Sequence, residues 1–410
     1  NVYRPARVIS YDKESGELVL HNYMDFDNLK DYVKISYELT QDGLVIGKGK
    51  LAEVSVVPHS EGKTNLQVNV PENGKCYLKL IYHLKKEMPL LEEDYILGFD
   101  EIEVSQKDAK CQLAEKWVEK TVTDSELQVS EDDTQIHIKG REFAYTIDRR
   151  TALFTEMKFA GREYLNHPME LNIWRAPTDN DMYIKSEWKK AHYDKAYTRA
   201  YTTEVVQGKH GVKITSHASV VAETVQKILD VTITWKIEAA GKIDADIAVT
   251  KDDEFPDLPR FGVRMFLDKK LSAARYFGMG PQESYCDKHQ AASHGLYQAN
   301  VDDLHEDYIR PQENGSHYDC EYVELNNSRY GIVVSAENAF SFNASYYTQE
   351  ELEEKTHNYE LTESDSVVFC VDYALNGIGS NSCGPVVLEQ YRFDDVLFRF
   401  QFTLIPYIKG

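Results

Sequence analysis

At 410 residues the chain is long enough for two or three domains. With 42% hydrophobic and 28% charged residues it reads as folded rather than disordered, and no apolar run approaches the roughly 20 residues of a membrane helix. A net charge of −22, from 46 basic against 68 acidic residues, sets most of the surface against phosphate backbones and leaves neutral ligands such as sugars open.

Period-2 alternation dominates from the start. Residues 17–22, 33–39 and 44–57 alternate polar with apolar, and Asp42-Gly43 between the last two reads as a hairpin turn. Residues 66–70 and 76–82 continue the pattern across the Pro71–Gly74 turn, so residues 1–105 are expected to form an immunoglobulin-like sandwich. Residues 101–115 are mixed and charged, and 106–116 is assigned as a linker. From 117 to 410 the strands resume: 134–139, 143–147, 212–215, 228–237, 243–249, 261–267, 331–335, 366–373 and 396–405. The helix-like stretches are 184–192 and 348–356, the latter opened by Thr348 with Glu351 in capping-box spacing. With no internal linker, one large sandwich is expected rather than two small ones.

Cysteines at 76, 111, 286, 320, 370 and 383 form no CxxC pair and no zinc spacing. They read as free, mostly buried thiols of a reducing compartment, which suggests a cytoplasmic protein. The chain begins Asn-Val-Tyr-Arg-Pro, and Asn1 is expected to be an internal position of a longer polypeptide.

Four segments interrupt the alternation with dense polar and aromatic residues: Asn172–Asp181, Gly278–Asp287, Tyr308–Gly315 and Asn376–Pro385. Pro177 biases Ala176 toward extended backbone, and Thr-Asp-Asn-Asp suits a turn. Glu283 and Asp287 look available for hydrogen bonding. Gly278-Met-Gly280 does not continue into a phosphate-binding signature, and no GxSxG elbow is present. Glycoside hydrolysis needs two carboxylates about 5 to 9.5 Å apart. No spacing here dictates such a pair, although Asp179, Asp181, Glu283 and Glu313 are the acids to consider if the chain acts alone. A bland reading of each segment is an ordinary structural loop.

Taken in order, these segments resemble the last domain of LacZ-type β-galactosidases, glycoside hydrolase family 2. Trp174–Asp181 is similar to the family's RAP-x-DND signature, Gly278–Tyr285 to its GxGPQExY motif, and Tyr308–Gly315 to its P-x-E-N-G segment. Gly377–Pro385 sits where the family carries a GxGG-DDSW-x-P loop, and Phe340–Ser345 with the helix after Thr348 also matches. Arg4-Pro5, Asn22–Phe26 and Glu38–Gly43 resemble the preceding domain of the same enzymes.

The resemblance implies an all-β chain: an immunoglobulin-like sandwich followed by a large galactose-mutarotase-like β-supersandwich, the fourth and fifth domains of a five-domain enzyme. The catalytic glutamates and the magnesium and sodium ligands would then belong to the missing domains. No catalytic or metal-binding residue and no cofactor would be expected in this chain. Its partners would be the N-terminal domains, a β-galactoside and, in the full-length homo-oligomer, further copies, with no nucleic acid and no membrane. The pocket rim implied for this chain comprises Arg175, Asp179, Asn180, Asp181, Met182, Tyr183, Asn381, Ser382 and Cys383. The stretch from Asp179 to about Glu187 would be a mobile loop beside the pocket. Cys383 stands where the family has a tryptophan, and a cysteine has no stacking face of comparable area. The acceptor subsite is therefore expected to be altered. A free-standing carbohydrate-binding module, with Trp188 in an exposed aromatic platform, and an aldose epimerase-like enzyme are the competing readings.

Overall fold

In the computed structural model, which describes residues 1–105 and 127–409, the chain divides into two units. The first is Asn1–Gln112 with Gln290–Leu296; the second is Leu113–His289 with Tyr297–Gly410. The assigned linker 106–116 lies outside the described residues, as does Cys111.

The first unit is a two-sheet sandwich. One sheet orders the strands Ala6–Tyr11, Glu17–Asn22 and Glu61–Asn65. The other orders Leu44–Lys50, Val33–Gln41, Cys76–Leu84 and Ile96–Ser105. The alternation places Leu18, Leu20, Ile35, Leu39, Leu78, Leu80 and Tyr82 in one buried cluster, as an inward-facing period-2 pattern requires. Asp42 and Gly43 turn the hairpin with φ of 47° and 80°, the paired positive values that suit the twist of the flanking strands. Asp100 ties the unit together: it accepts from Arg4 Nη2 (2.6 Å), the Val8 amide (3.0 Å) and the Tyr82 hydroxyl (2.5 Å).

Three expectations shift here. Residues 51–57 and 66–70 run without ladder pairing, and the edge strand Glu61–Asn65 forms between them from a polar segment with no apolar alternation. Residues 101–105 are the end of strand Ile96–Ser105 rather than linker; its alternate residues Ile102 and Val104 pack on the core despite the charge around them.

The second unit stacks a five-stranded sheet against a twelve-stranded one over a single apolar cluster. The small sheet runs from Arg162–Glu163 through Leu153–Phe159, Phe143–Asp148 and Gln135–Lys139 to Gln128–Glu131. The large one starts at Leu165–Asn172 and continues through Arg260–Asp268, Ser366–Leu375, Tyr330–Ser345, Leu397–Ile408 and Ile243–Lys251. It ends through Leu229–Glu238, Gly211–Val221 and Tyr197–Gln207, while Ala273–Gly280 joins by way of His317–Asn326. Trp235 links the layers: its ring meets Phe154 edge-on at 4.9 Å and its indole N–H donates to Ala152 O (2.8 Å). One core shared by both sheets agrees with a single large sandwich.

The helices are shorter than the sequence suggested, Ile184–Lys190 and Gln349–Glu354. Thr348 caps the second by accepting the Glu351 amide at 3.1 Å. No helix among the described residues is long and apolar enough to cross a membrane.

Candidate functional site

Strand register explains why four distant segments meet. Asn172 pairs with Gly262, and Arg260 pairs with Leu375. The chain therefore leaves Leu165–Asn172 and Ser366–Leu375 at the same end of the sheet, sending out 173–183 and 376–385 side by side. His317 pairs with Phe342, and Phe277 with Tyr322, so 308–316 and 281–288 emerge at that end too. Together they enclose a cleft of about 560 Å³, with Asn180, Glu283, Lys288, Tyr308, Gln312 and Ser382 on its walls.

The walls are held by buried charge. Arg175 is fully buried and donates to both Asp181 oxygens, at 3.1 Å to Oδ2 and 2.7 Å to Oδ1. Its remaining N–H groups reach the carbonyls of Asn376 and Gly377, which pins the fourth segment to the first. Asp181 also accepts from the Thr178 amide (2.9 Å) and hydroxyl (3.2 Å), closing the 3₁₀ turn Asp179–Asp181. Trp188 covers the Arg175 guanidinium with its ring centroid 5.2 Å away.

Arg260 does the same one strand over. It donates to Asp372 through Nε (3.1 Å) and Nη2 (2.5 Å), and to Glu313 Oε1 (2.8 Å), all three residues being buried. Burial raises the Asp372 carboxyl to about 6, against the pull of Arg260. The other Glu313 oxygen accepts the Ala176 amide (3.2 Å), joining the third segment to the first.

Glu283 gathers four donors: Lys288 Nζ, the Tyr308 hydroxyl (2.6 Å), the Gly315 amide (2.9 Å) and the Tyr285 hydroxyl (3.3 Å). Burial opposes its charge, but the bonds from Lys288, Tyr308 and Gly315 outweigh it and hold the carboxyl below its ordinary value. Gly315 has φ of 70°, and a Cβ there would lie 2.2 Å from Leu304 O, so only glycine fits. Asp287 accepts the amides of Ile378 (2.9 Å) and Gly379 (2.7 Å). Glu283 and Asp287, which the sequence left open for a ligand, are thus occupied by internal partners.

The rim residues expected from sequence separate into three groups. Asp179, Asn180 and Ser382 line the cleft, and Ser382 Oγ donates to Asn180 Oδ1 at 2.8 Å across the two segments. Arg175 and Asp181 lie beneath the wall, because a buried ion pair with four further bonds is a bracket rather than a contact surface. Met182, Tyr183 and Cys383 are exposed and Asn381 half-exposed beside the cleft, not among its lining residues. Trp188 is fully buried, its indole N–H bonded to Asp257 O (2.8 Å), so it offers no exposed sugar platform. Lys288, Tyr308, Gln312 and Glu313 were not named as rim residues; their motifs were legible, but a motif does not say which side chain faces outward. The stretch 179–187 forms the 3₁₀ turn and the start of the helix.

Among the described residues, no group of three or more His, Cys, Asp or Glu side chains is arranged to hold a metal ion. Cysteines 76, 286, 320, 370 and 383 are free; Cys286 is pushed up to about 11 by burial, and of these five described cysteines only Cys383 is exposed.

Residues 139–404 match the family described as β-galactosidase small chain, and residues 18–105 match β-galactosidase domain 4. The β-galactosidase of Actinobacillus pleuropneumoniae is 42% identical over 99% of this chain and 39% of its own length. That of Staphylococcus xylosus is 31% identical over 98% of this chain and 40% of its own. The chain therefore spans about two-fifths of these relatives. Among solved structures, the galactose 1-epimerase of Lactobacillus acidophilus covers 70% of this chain and 100% of its own at 7% identity and a TM-score of 0.39. With matches that take in both structural units, the chain belongs to the β-galactosidase small-chain family, its supersandwich preceded by a β-galactosidase domain 4.

Proposed function

We propose that this chain is the C-terminal part of a retaining β-galactosidase of glycoside hydrolase family 2, hydrolysing terminal β-D-galactosides in the cytoplasm as a homo-oligomer. In this reading it completes and scaffolds the sugar pocket, and the two catalytic carboxylates and the magnesium and sodium sites lie in domains N-terminal to it. The observation that carries the reading is the convergence of four sequence-distant segments on one cleft whose neutral groups, Asn180, Gln312 and Ser382, suit a hydroxylated ligand.

The chemistry of the acids supports the division of labour. A glycosidase needs one carboxyl to protonate the leaving oxygen and another to attack or to activate water. Here Asp181, Glu283, Asp287 and Glu313 each hold loop backbone or an arginine or lysine. Withdrawing any of them for proton transfer would open the wall. Asp179 faces the cleft with its carboxylate exposed, a position suited to binding sugar hydroxyls. With Cys383 in the loop, the acceptor subsite lacks a stacking face, so preference among aglycones is expected to differ from that of lactose-optimised relatives.

The test is hydrolysis of a nitrophenyl β-galactoside by this chain alone and after mixing with the N-terminal part of the same enzyme. No turnover alone and recovery on mixing is the expected result. Turnover by this chain alone would overturn the reading and return Asp179, Asp181, Glu283 and Glu313 to the list of catalytic candidates.

A further inference from the structure

A cavity of about 540 Å³ opens at the far end of the strands that carry the cleft segments. Strand Ala273–Gly280 runs into 281–288, and 308–316 runs into strand His317–Asn326; the cavity takes Arg275 from the start of the first strand, and Glu324 and Asn326 from the end of the second. Lys409, just past the last strand, and Asp303, at an exposed rim, complete its charged lining. Arg275 is half-buried and stands directly opposite Glu324 in the ladder, where opposite charges ordinarily pair across strands. Among the described residues that pair does not form. Glu324 accepts instead from the Tyr322 hydroxyl at Oε2 (2.6 Å) and from the Tyr407 hydroxyl at Oε1. Arg275 Nε is buried without a hydrogen-bond partner. The two terminal nitrogens also bond to no described residue and, unlike Nε, are accessible to solvent. In a chain with 68 acidic against 46 basic residues, a half-buried guanidinium left without a carboxylate calls for an acceptor from outside.

The rest of the lining points the same way. Lys409 Nζ donates to Asn326 Oδ1 (3.0 Å) and to Asn327 O (2.9 Å), both neutral oxygens, and keeps a third N–H. Asp303 accepts through Oδ2 from the backbone and side-chain amides of Asn300, at 3.3 and 2.9 Å. The acids of the lining thus face donors of the protein, while its cations face neutral oxygens or none. We propose that this cavity binds the oxyanion head, phosphate or carboxylate, of a small polar molecule, at a site separate from the cleft. The terminal N–H groups of Arg275 meet two oxygens of one head, which their planar fork matches, and Lys409 adds a point charge. The volume lies within the range of small-molecule sites and leaves room for a body attached to the head, beside the Gln298 and Asn300 side chains.

The test is equilibrium dialysis of the full chain against radiolabelled inorganic phosphate at constant ionic strength, which fixes the screening of exposed charges. Saturable binding with a midpoint of about 1 mM is expected for a few charge-assisted bonds. Arg275→Gln should weaken it at least about 10-fold and Lys409→Gln about 3- to 10-fold. Asp303→Asn should strengthen it about 2- to 3-fold, because a repelling charge is gone. Lys288→Gln, which removes the cation of the cleft, should leave the midpoint unchanged. Lys409 and Asp303 lie outside the core, so their variants carry the test even if Arg275→Gln lowers the urea midpoint. Citrate should displace phosphate; a lower midpoint than that of phosphate names a carboxylate head, a higher one a phosphate head. No saturable binding up to about 100 mM, far above that range, would overturn the proposal. So would a midpoint indifferent to Arg275→Gln and Lys409→Gln, weaker binding in Asp303→Asn, displacement by neutral D-galactose, or loss of binding in Lys288→Gln, which would assign the phosphate to the cleft.

Discussion

The sandwich of the first unit and the cleft end of the second are held by different forces. In the sandwich, aliphatic side chains at alternate positions bury themselves, and the local pattern already names which ones. At the cleft end, the segments carry few apolar residues, and their positions depend on Arg175, Arg260, Glu283 and Asp287 reaching across gaps of up to 202 residues in sequence. Hydrophobic burial tolerates substitutions that keep volume, whereas a bracket of buried charge fails when one partner is removed, because the other is left uncompensated. A pocket wall built in the second way is well defined in geometry and intolerant of change.

The largest effect should come from Arg260→Met, which strands two buried carboxylates. A loss of about 3–5 kcal/mol is expected, read from the urea midpoint of the second unit. Asp372→Asn and Glu313→Gln together with Arg260→Met should recover part of it, since the uncompensated charges are then gone. Leu80→Ala, in the first unit and fully buried, should cost about 2–5 kcal/mol, with the value set by how far the cavity collapses. An arginine variant as mild as an ordinary surface substitution would erase the contrast.

His317 should add a pH dependence to the second unit alone. Its ring is buried against Phe342 and its nitrogens face the carbonyls of Pro281 and Gly315, and burial lowers its pKa to about 4 despite those carbonyls. Below about 6.5 the unfolded chain takes up a proton that the folded one refuses, so the stability present above 6.5 is lost as pH falls toward 4. The window corresponds to about 3 kcal/mol at the usual 1.36 kcal/mol per unit. His317→Gln should flatten that slope in urea titrations between pH 4 and 6.5; an unchanged slope would assign the dependence to other groups.

The smallest change is expected from Asp287→Asn. The amide keeps one acceptor but turns an NH₂ toward a backbone N–H, costing about 1–3 kcal/mol. Amide exchange of Ile378 and Gly379 should accelerate while the sandwich is unaffected. Protection that stays as in the wild type would show that the loop is held by its other bonds.

Strand identity was legible wherever one face is buried and the other wet, as in Ile243–Lys251, which alternates along its length. It failed for Glu61–Asn65, a polar edge strand, and for Ile96–Ser105, whose charged residues hid an inward row. The four motifs were visible as interruptions of the pattern, but that Asn180 and Ser382 meet across two of them was not. That Arg175 and Asp181 are buried and paired was not legible, because a charged pair in a polar loop looks exposed until its partners are known.

The sequence by itself determined the all-β class, the hairpin at Asp42-Gly43, the capped helix after Thr348 and the four segments that mattered, because each depends on neighbours within a few residues. Only the tertiary structure decided which acids face the cleft and which are consumed in holding it. Those outcomes depend on strand register, which brings residues hundreds of positions apart to within hydrogen-bond distance, and no local pattern encodes the pairing of an arginine with a carboxylate so far along the chain.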